Sequence, residues 1–88
     1  MKKTIEDIIL KINKGHFFDT HSIIEFLIQN HSDIYLLNYE NGWTTDYYHS
    51  VISKKIASFE GELVSDQGNC WSMNIHKNFT SNKCWLKL

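Results

Sequence analysis

An α+β fold, with three or four helices followed by a small antiparallel β-hairpin or three-stranded sheet, is what the order of hydrophobic patterns in this chain predicts. In the first two thirds, isoleucines, leucines and aromatics recur at helical spacing. In the last third the period changes: Trp71, Met73 and Ile75 alternate with Ser72, Asn74 and His76, as in a half-buried strand. At 88 residues the chain falls below the usual domain size, so all of 1–88 is read as one domain.

The first helix is expected over about 5–14, where Ile5, Ile8, Ile9 and Ile12 make one stripe. Thr4 offers an N-cap with Asp7 three residues on, and Gly15 suits the position just past the end. His16-Phe17-Phe18-Asp19 then reads as a short extended or turn-like connector, with Asp19 or Thr20 capping a second helix over about 20–31. That helix buries Ile23, Ile24, Leu27 and Ile28; His31, near its end, suits the negative end of the helix dipole. Leu10 and Phe26 fall off their stripes, so each needs a second contact, at a dimer seam or a neighbouring loop, or is partly exposed.

Ile34 to Tyr39 is read as a short helix, although its apolar run suits a buried strand as well, and Glu40-Asn41-Gly42 as a turn. The next helix, about 45–59 with Thr44 or Thr45 as cap, buries Tyr48, Ile52, Ile56 and Phe59. Its outer side carries Asp46, Ser50, Ser53, Lys54 and Ala57, flanked by Tyr47. Strands are expected at Glu62–Ser65, Cys70–Lys77 and Cys84–Leu88, with turns at Asp66-Gln67-Gly68-Asn69 and at 78–82.

Helices followed by a hairpin resemble the winged-helix arrangement, in which a helix-turn-helix packs on a small sheet whose hairpin is the wing. The resemblance covers nearly the whole chain and rests on element order and the glycine turn at Gly42. It implies that the 45–59 helix is the recognition helix and that Asp66 to Asn69 is the wing tip. The fragments Phe18-Asp19-Thr20-His21-Ser22-Ile23-Ile24 and Trp71-Ser72-Met73-Asn74-Ile75-His76-Lys77-Asn78 also resemble patterns in small bacterial proteins without an assigned function, which imply no activity.

Charge restrains the DNA-binding expectation. Nine lysines, no arginine and ten acids give a formal charge of −1, so no global field attracts nucleic acid. A surface with so few bases binds DNA weakly unless a homodimer doubles it. The expected function is that of a non-enzymatic binding domain, a winged-helix DNA-binding regulator whose contacts are Tyr47, Ser50, Ser53, Lys54, Lys55 and Lys77. The alternative is a protein–protein interaction module, such as a small inhibitor or adaptor from a mobile element. That module would use the neutral face of the 45–59 helix with Leu10 and Phe26.

Cys70, His76 and Cys84 are the residues nearest to a metal or nucleophile set. Their spacing matches no common zinc pattern, and a fourth ligand would have to come from His16, His21, His31 or His49. Along one strand, Cys70 and His76 stand roughly 20 Å apart, too far to share an ion without a bulge. No phosphate loop, paired-carboxylate signature or HExxH is present, and neither cofactor nor metal is expected. Trp43, Trp71 and Trp85 are read as core bulk, Trp85 covering the sheet edge, with stacking on bases or a protein interface as the second reading. No apolar run approaches the ~20 residues of a membrane span, and the expected location is cytoplasmic with free thiols.

Overall fold

The computed structural model describes residues 1–88 as four helices and one three-stranded antiparallel sheet, an α+β fold. In chain order these are α1 (Lys2–Leu10), β1 (Phe17–Asp19), α2 (Thr20–Asn30), α3 (Ser32–Leu37), α4 (Thr45–Ala57), β2 (Val64–Met73) and β3 (Phe79–Lys87). The sheet order is β1-β3-β2, so β3 is central and the helices pack on the sheet through Trp85 and Val64. The core consists of 13 buried apolar side chains, among them Ile5, Ile9, Ile24, Leu27, Tyr48, Ile52 and Ile56.

The expected helices form, with shifted ends. The first begins at Lys2 with no side-chain cap at Met1 and ends at Leu10, four residues before its expected end. Asp7 is not a cap partner: Lys3 holds it at 3.2 Å and Glu6 at 3.1 Å, an exposed arrangement that contributes little to stability. Gly15 lies beyond the helix, where its N–H donates to the Lys87 carbonyl at 2.8 Å and ties the loop to β3. The capping reading holds at the other two long helices. Asp19 accepts from the Ser22 N–H at 2.9 Å in a reciprocal capping box, and Thr44 accepts from the Tyr47 N–H at 3.1 Å. The expected stripe Tyr48, Ile52, Ile56 and Phe59 is buried.

The strand-rich third departs from expectation in its turn. Asp66 to Asn69 does not reverse the chain; it is a bulge inside one continuous strand, β2. Pairing passes from Asp66 opposite Trp85 to Asn69 opposite Lys83, which inserts one extra residue on β2. The residues that signalled a turn make a local one: Asp66 Oδ1 accepts from the Gly68 N–H at 2.8 Å, and Gly68 has φ of +81°. Lys83 then holds Asp66 Oδ2 at 3.0 Å across the strands, which keeps the pairing going. Together the Gly68 N–H and the Lys83 ammonium keep the exposed Asp66 carboxyl below its ordinary value.

The chain reverses instead at 74–78. Asn74 Oδ1 accepts from the N–H groups of His76 at 2.9 Å and Asn78 at 3.1 Å, and Lys77 adopts a left-handed φ of +67°. The outermost expected strands at 62–65 and 84–88 are thus the proximal ends of one long hairpin. The third strand of the sheet comes from the aromatic connector Phe17–Asp19, whose register sets Phe18 opposite Trp85.

Asp19 carries a prediction for acid stability. Burial alone pushes its carboxyl up, but hydrogen bonds from Ser72 and Ser22, with the His21 imidazole, outweigh it and leave the group below its ordinary value. A carboxyl depressed in the folded state contributes stability that is complete above the unfolded value and lost as pH falls through the folded one. Asp19→Asn keeps the cap without the titration and is expected to flatten the acid limb of stability below about pH 4. Asp19→Ala is expected to cost a further ~1 kcal/mol at neutral pH. Urea titrations across the acid range check both, and an unchanged acid limb in the Asn variant would refute the assignment.

Candidate functional site

The polar residues of this chain gather in a cleft between α4, the start of α2 and the distal half of the β2–β3 hairpin. Its volume is about 620 Å³, and of its 14 lining residues only one is hydrophobic. The capping box at Asp19 places His21 in the first turn of α2, facing the hairpin. There His21 Nδ1 lies 2.7 Å from Ser72 Oγ and Nε2 lies 3.4 Å from Thr80 Oγ1, two residues paired across β2 and β3. The His21 N–H donates to Asn82 Oδ1 at 2.8 Å, and the Asn82 amide reaches the Cys70 carbonyl at 3.3 Å. The strand alternation visible in the sequence is what aims Ser72, Thr80 and Asn82 at this side.

The opposite wall is α4. Helical spacing brings Asp46, His49, Ser50 and Ser53 to the face beside the hairpin, while Tyr48 and Ile52 turn into the core. His49 is anchored from behind, its Nε2 2.8 Å from the Tyr35 hydroxyl. Tyr35 in turn packs on Tyr48 with ring centroids 5.0 Å apart, and the Tyr48 hydroxyl donates to the Tyr35 carbonyl. Burial pushes the Tyr48 phenol up to about 12 and raises that of Tyr35, so both remain neutral. Burial also holds the His49 imidazole below its ordinary value, helped by His76 and His21 and opposed by Asp46. His76 stands on the hairpin turn at the far rim.

Of the residues expected to make contacts, Ser50 and Ser53 line this cleft. Their hydroxyls already have partners: Ser50 Oγ donates to the Tyr47 carbonyl at 2.6 Å, and Ser53 Oγ lies 3.2 Å from Thr20 Oγ1. Tyr47 is half exposed, its ring 5.2 Å from that of Trp43. Lys54 is exposed and Lys55 half-buried in the last turn of α4, neither on the cleft. Lys77 sits at the hairpin turn, beside the cleft, where a smaller groove runs along α2. His21, His49 and His76, which the sequence offers only as candidate metal ligands, meet in this cleft instead. They come from three separate elements, and only the fold brings them together.

Cys70, His76 and Cys84 separate in the structure. The two thiols lie side by side against a mainly apolar groove between α1, α2 and β1, whereas His76 belongs to the cleft. Burial, then Cys84 and Asp19, push the Cys70 thiol up to about 11, and its Sγ lies 3.9 Å from Asp19 Oδ2. No three His, Cys, Asp or Glu side chains stand close enough to hold a metal ion. Ser72 and His21 have the separation of a nucleophile and base, but Ser72 also receives the Asn82 amide at 3.3 Å. The second His21 nitrogen faces the Thr80 hydroxyl, not a carboxylate that would orient and charge the ring.

The tryptophans divide. Trp85 is buried at the centre of the core, Trp43 is partly covered, and Trp71 is 73% exposed on the hairpin. No helix is long and apolar enough to cross a membrane. No protein-family model, no curated protein and no solved structure matches this chain, so its functional reading rests on the geometry of the cleft and hairpin.

Proposed function

We propose that this domain is a non-enzymatic binding module that contacts DNA through α4 and the β2–β3 hairpin, in the manner of a winged helix. The observation that carries this reading is the polar cleft where α4 and the hairpin meet, with Asp46 its only acid. The relocated turn adds to it. With the reversal at 74–78, the hairpin ends in His76 and Lys77, not in the acid of Asp66. Helix α4 also carries Lys54 and Lys55 in its last turn, off the cleft, so both elements of the reading carry cationic groups.

The test is salt dependence of duplex binding, read by fluorescence anisotropy. With Lys54, Lys77 and Lys83 as the phosphate contacts, affinity is expected to fall about 40-fold from 50 to 200 mM salt, following a slope near −0.9 per contact. A flat response, or no binding at 50 mM, would sink the reading.

One observation favours a protein partner as the second reading. Trp71, Met73 and Phe79 are exposed together on the hairpin face opposite Ser72 and Thr80, with Met73 directly across from Phe79. Exposed tryptophan beside other large apolar groups is the usual make-up of an interface hot spot. A partner retained after nuclease treatment and lost with Trp71→Ser supports it over DNA.

A further inference from the structure

The three imidazoles of the cleft are the group whose chemistry neither the fold nor simple duplex contact explains. His21 comes from α2, His49 from α4 and His76 from the hairpin, and they are close enough that His21 and His76 each disfavour a proton on His49. The fixed charges around them do not favour an anion. Lys83 on β3 is already bound to Asp66 at 3.0 Å, Asp46 faces His49 from its own helix, Asp19 interacts with His21 at the start of α2, and Lys77, next to His76 at the turn, is the cation left over. From α3, His49 meets only the neutral Tyr35 hydroxyl. With all three rings neutral, the cleft therefore offers an anion little Coulombic attraction. With an anion inside, protons on the rings are no longer opposed by one another alone.

We infer that this cleft is a binding site for a phosphate ester, which it takes up together with a proton on His49. The inference rests on the nucleic-acid reading above and deepens it. The volume, about 620 Å³, holds a phosphate with its attached sugar and base and lies within the usual range of small-molecule sites. The donors suit a phosphate: imidazolium N–H groups are charge-assisted, and the amides of Asn74 and Asn78 stand beside them at the turn. A phosphodiester in a strand presents two non-bridging oxygens and one negative charge, and the monoester of a free nucleotide three oxygens and up to two charges; both are anionic acceptors for the same imidazolium and amide N–H donors.

Calorimetry on the full chain tests this with thymidine monophosphate, thymidine and inorganic phosphate at pH 6 and pH 8, in buffers of different ionisation heat. Thymidine monophosphate is expected to bind about tenfold or more tightly at pH 6, with a net proton uptake that His49→Gln lowers, the ester's own titration near pH 6 being common to both proteins, and thymidine not at all. His76→Gln, at an exposed turn and harmless to the core, is expected to weaken binding, and His49→Gln to weaken it and flatten its pH dependence. Binding that ignores pH, that survives both substitutions unchanged, or that is absent at pH 6 overturns the inference. If a duplex binds while thymidine monophosphate and the histidine substitutions have no effect, this site falls and the DNA reading stands. If the nucleotide binds with proton uptake but no duplex does, the site stands and the DNA reading falls. Competition between nucleotide and duplex assigns the phosphate to a strand; independent binding assigns it to a free nucleotide.

Discussion

Trp85→Ala is expected to remove a large share of the domain's folding stability at 25 °C. The side chain is 1% exposed, sits on the central strand, and is the largest fully buried group in the molecule. Truncating a buried aromatic to alanine costs about 3–5 kcal/mol. A domain of this size holds roughly 4–13 kcal/mol, taking about 0.05–0.15 kcal/mol per residue. The indole also makes a polar contact, because its N–H donates to Thr20 Oγ1 at 3.2 Å, the same hydroxyl that meets Ser53 Oγ and the Lys83 carbonyl. Thr20 is buried and thereby ties α2, α4 and β3 together at the base of the cleft. Trp85→Phe keeps most of the bulk and drops the donor, so it is expected to fold with a loss of about 1 kcal/mol. Urea denaturation followed by circular dichroism separates the two variants. A fully cooperative, wild-type midpoint for the alanine variant would show that Trp85 does not anchor the sheet to the helices.

Trp85 also shows what the sequence made legible. Its burial follows from large apolar bulk in a small domain, as do the α4 stripe and the capping residues Asp19 and Thr44, because each depends on neighbours within a turn or two. What local pattern misjudged was decided by pairing across the chain. Asp66-Gln67-Gly68-Asn69 has the composition of a reversal and does make a tight local turn. Lys83, distant in sequence, pairs with Asp66 and converts the turn into a bulge. Phe17-Phe18-Asp19 is too short to declare itself a strand and becomes one only because β3 offers it an edge. The cleft was less legible still. Ser50 and Ser53 were found because they lie on a helix face, whereas His21, His49 and His76 have no shared motif and converge only in three dimensions.

The position of the hairpin turn makes Lys77 the most informative single charge for DNA binding. Lys77→Ala is expected to weaken duplex binding evenly across sequences and to reduce the salt slope by about one, and Lys54→Ala to do the same from the last turn of α4. The double variant is expected to lose most of the salt dependence, because only Lys83 then remains among the three contacts and it is shared with Asp66. Alanine at 77 keeps the left-handed strain that lysine already bears at φ of +67°, so the comparison isolates charge. Lys55→Ala serves as the control. Lys55 is half-buried and off the cleft, so its removal is expected to leave the slope unchanged. If Lys55 lowers the slope as much as Lys77, binding is diffuse attraction to lysine anywhere on the surface. If Lys77 alone matters, the hairpin and not α4 delivers the main contact. Anisotropy titrations at three salt concentrations, with thermal melts to verify that each variant folds, distinguish these results.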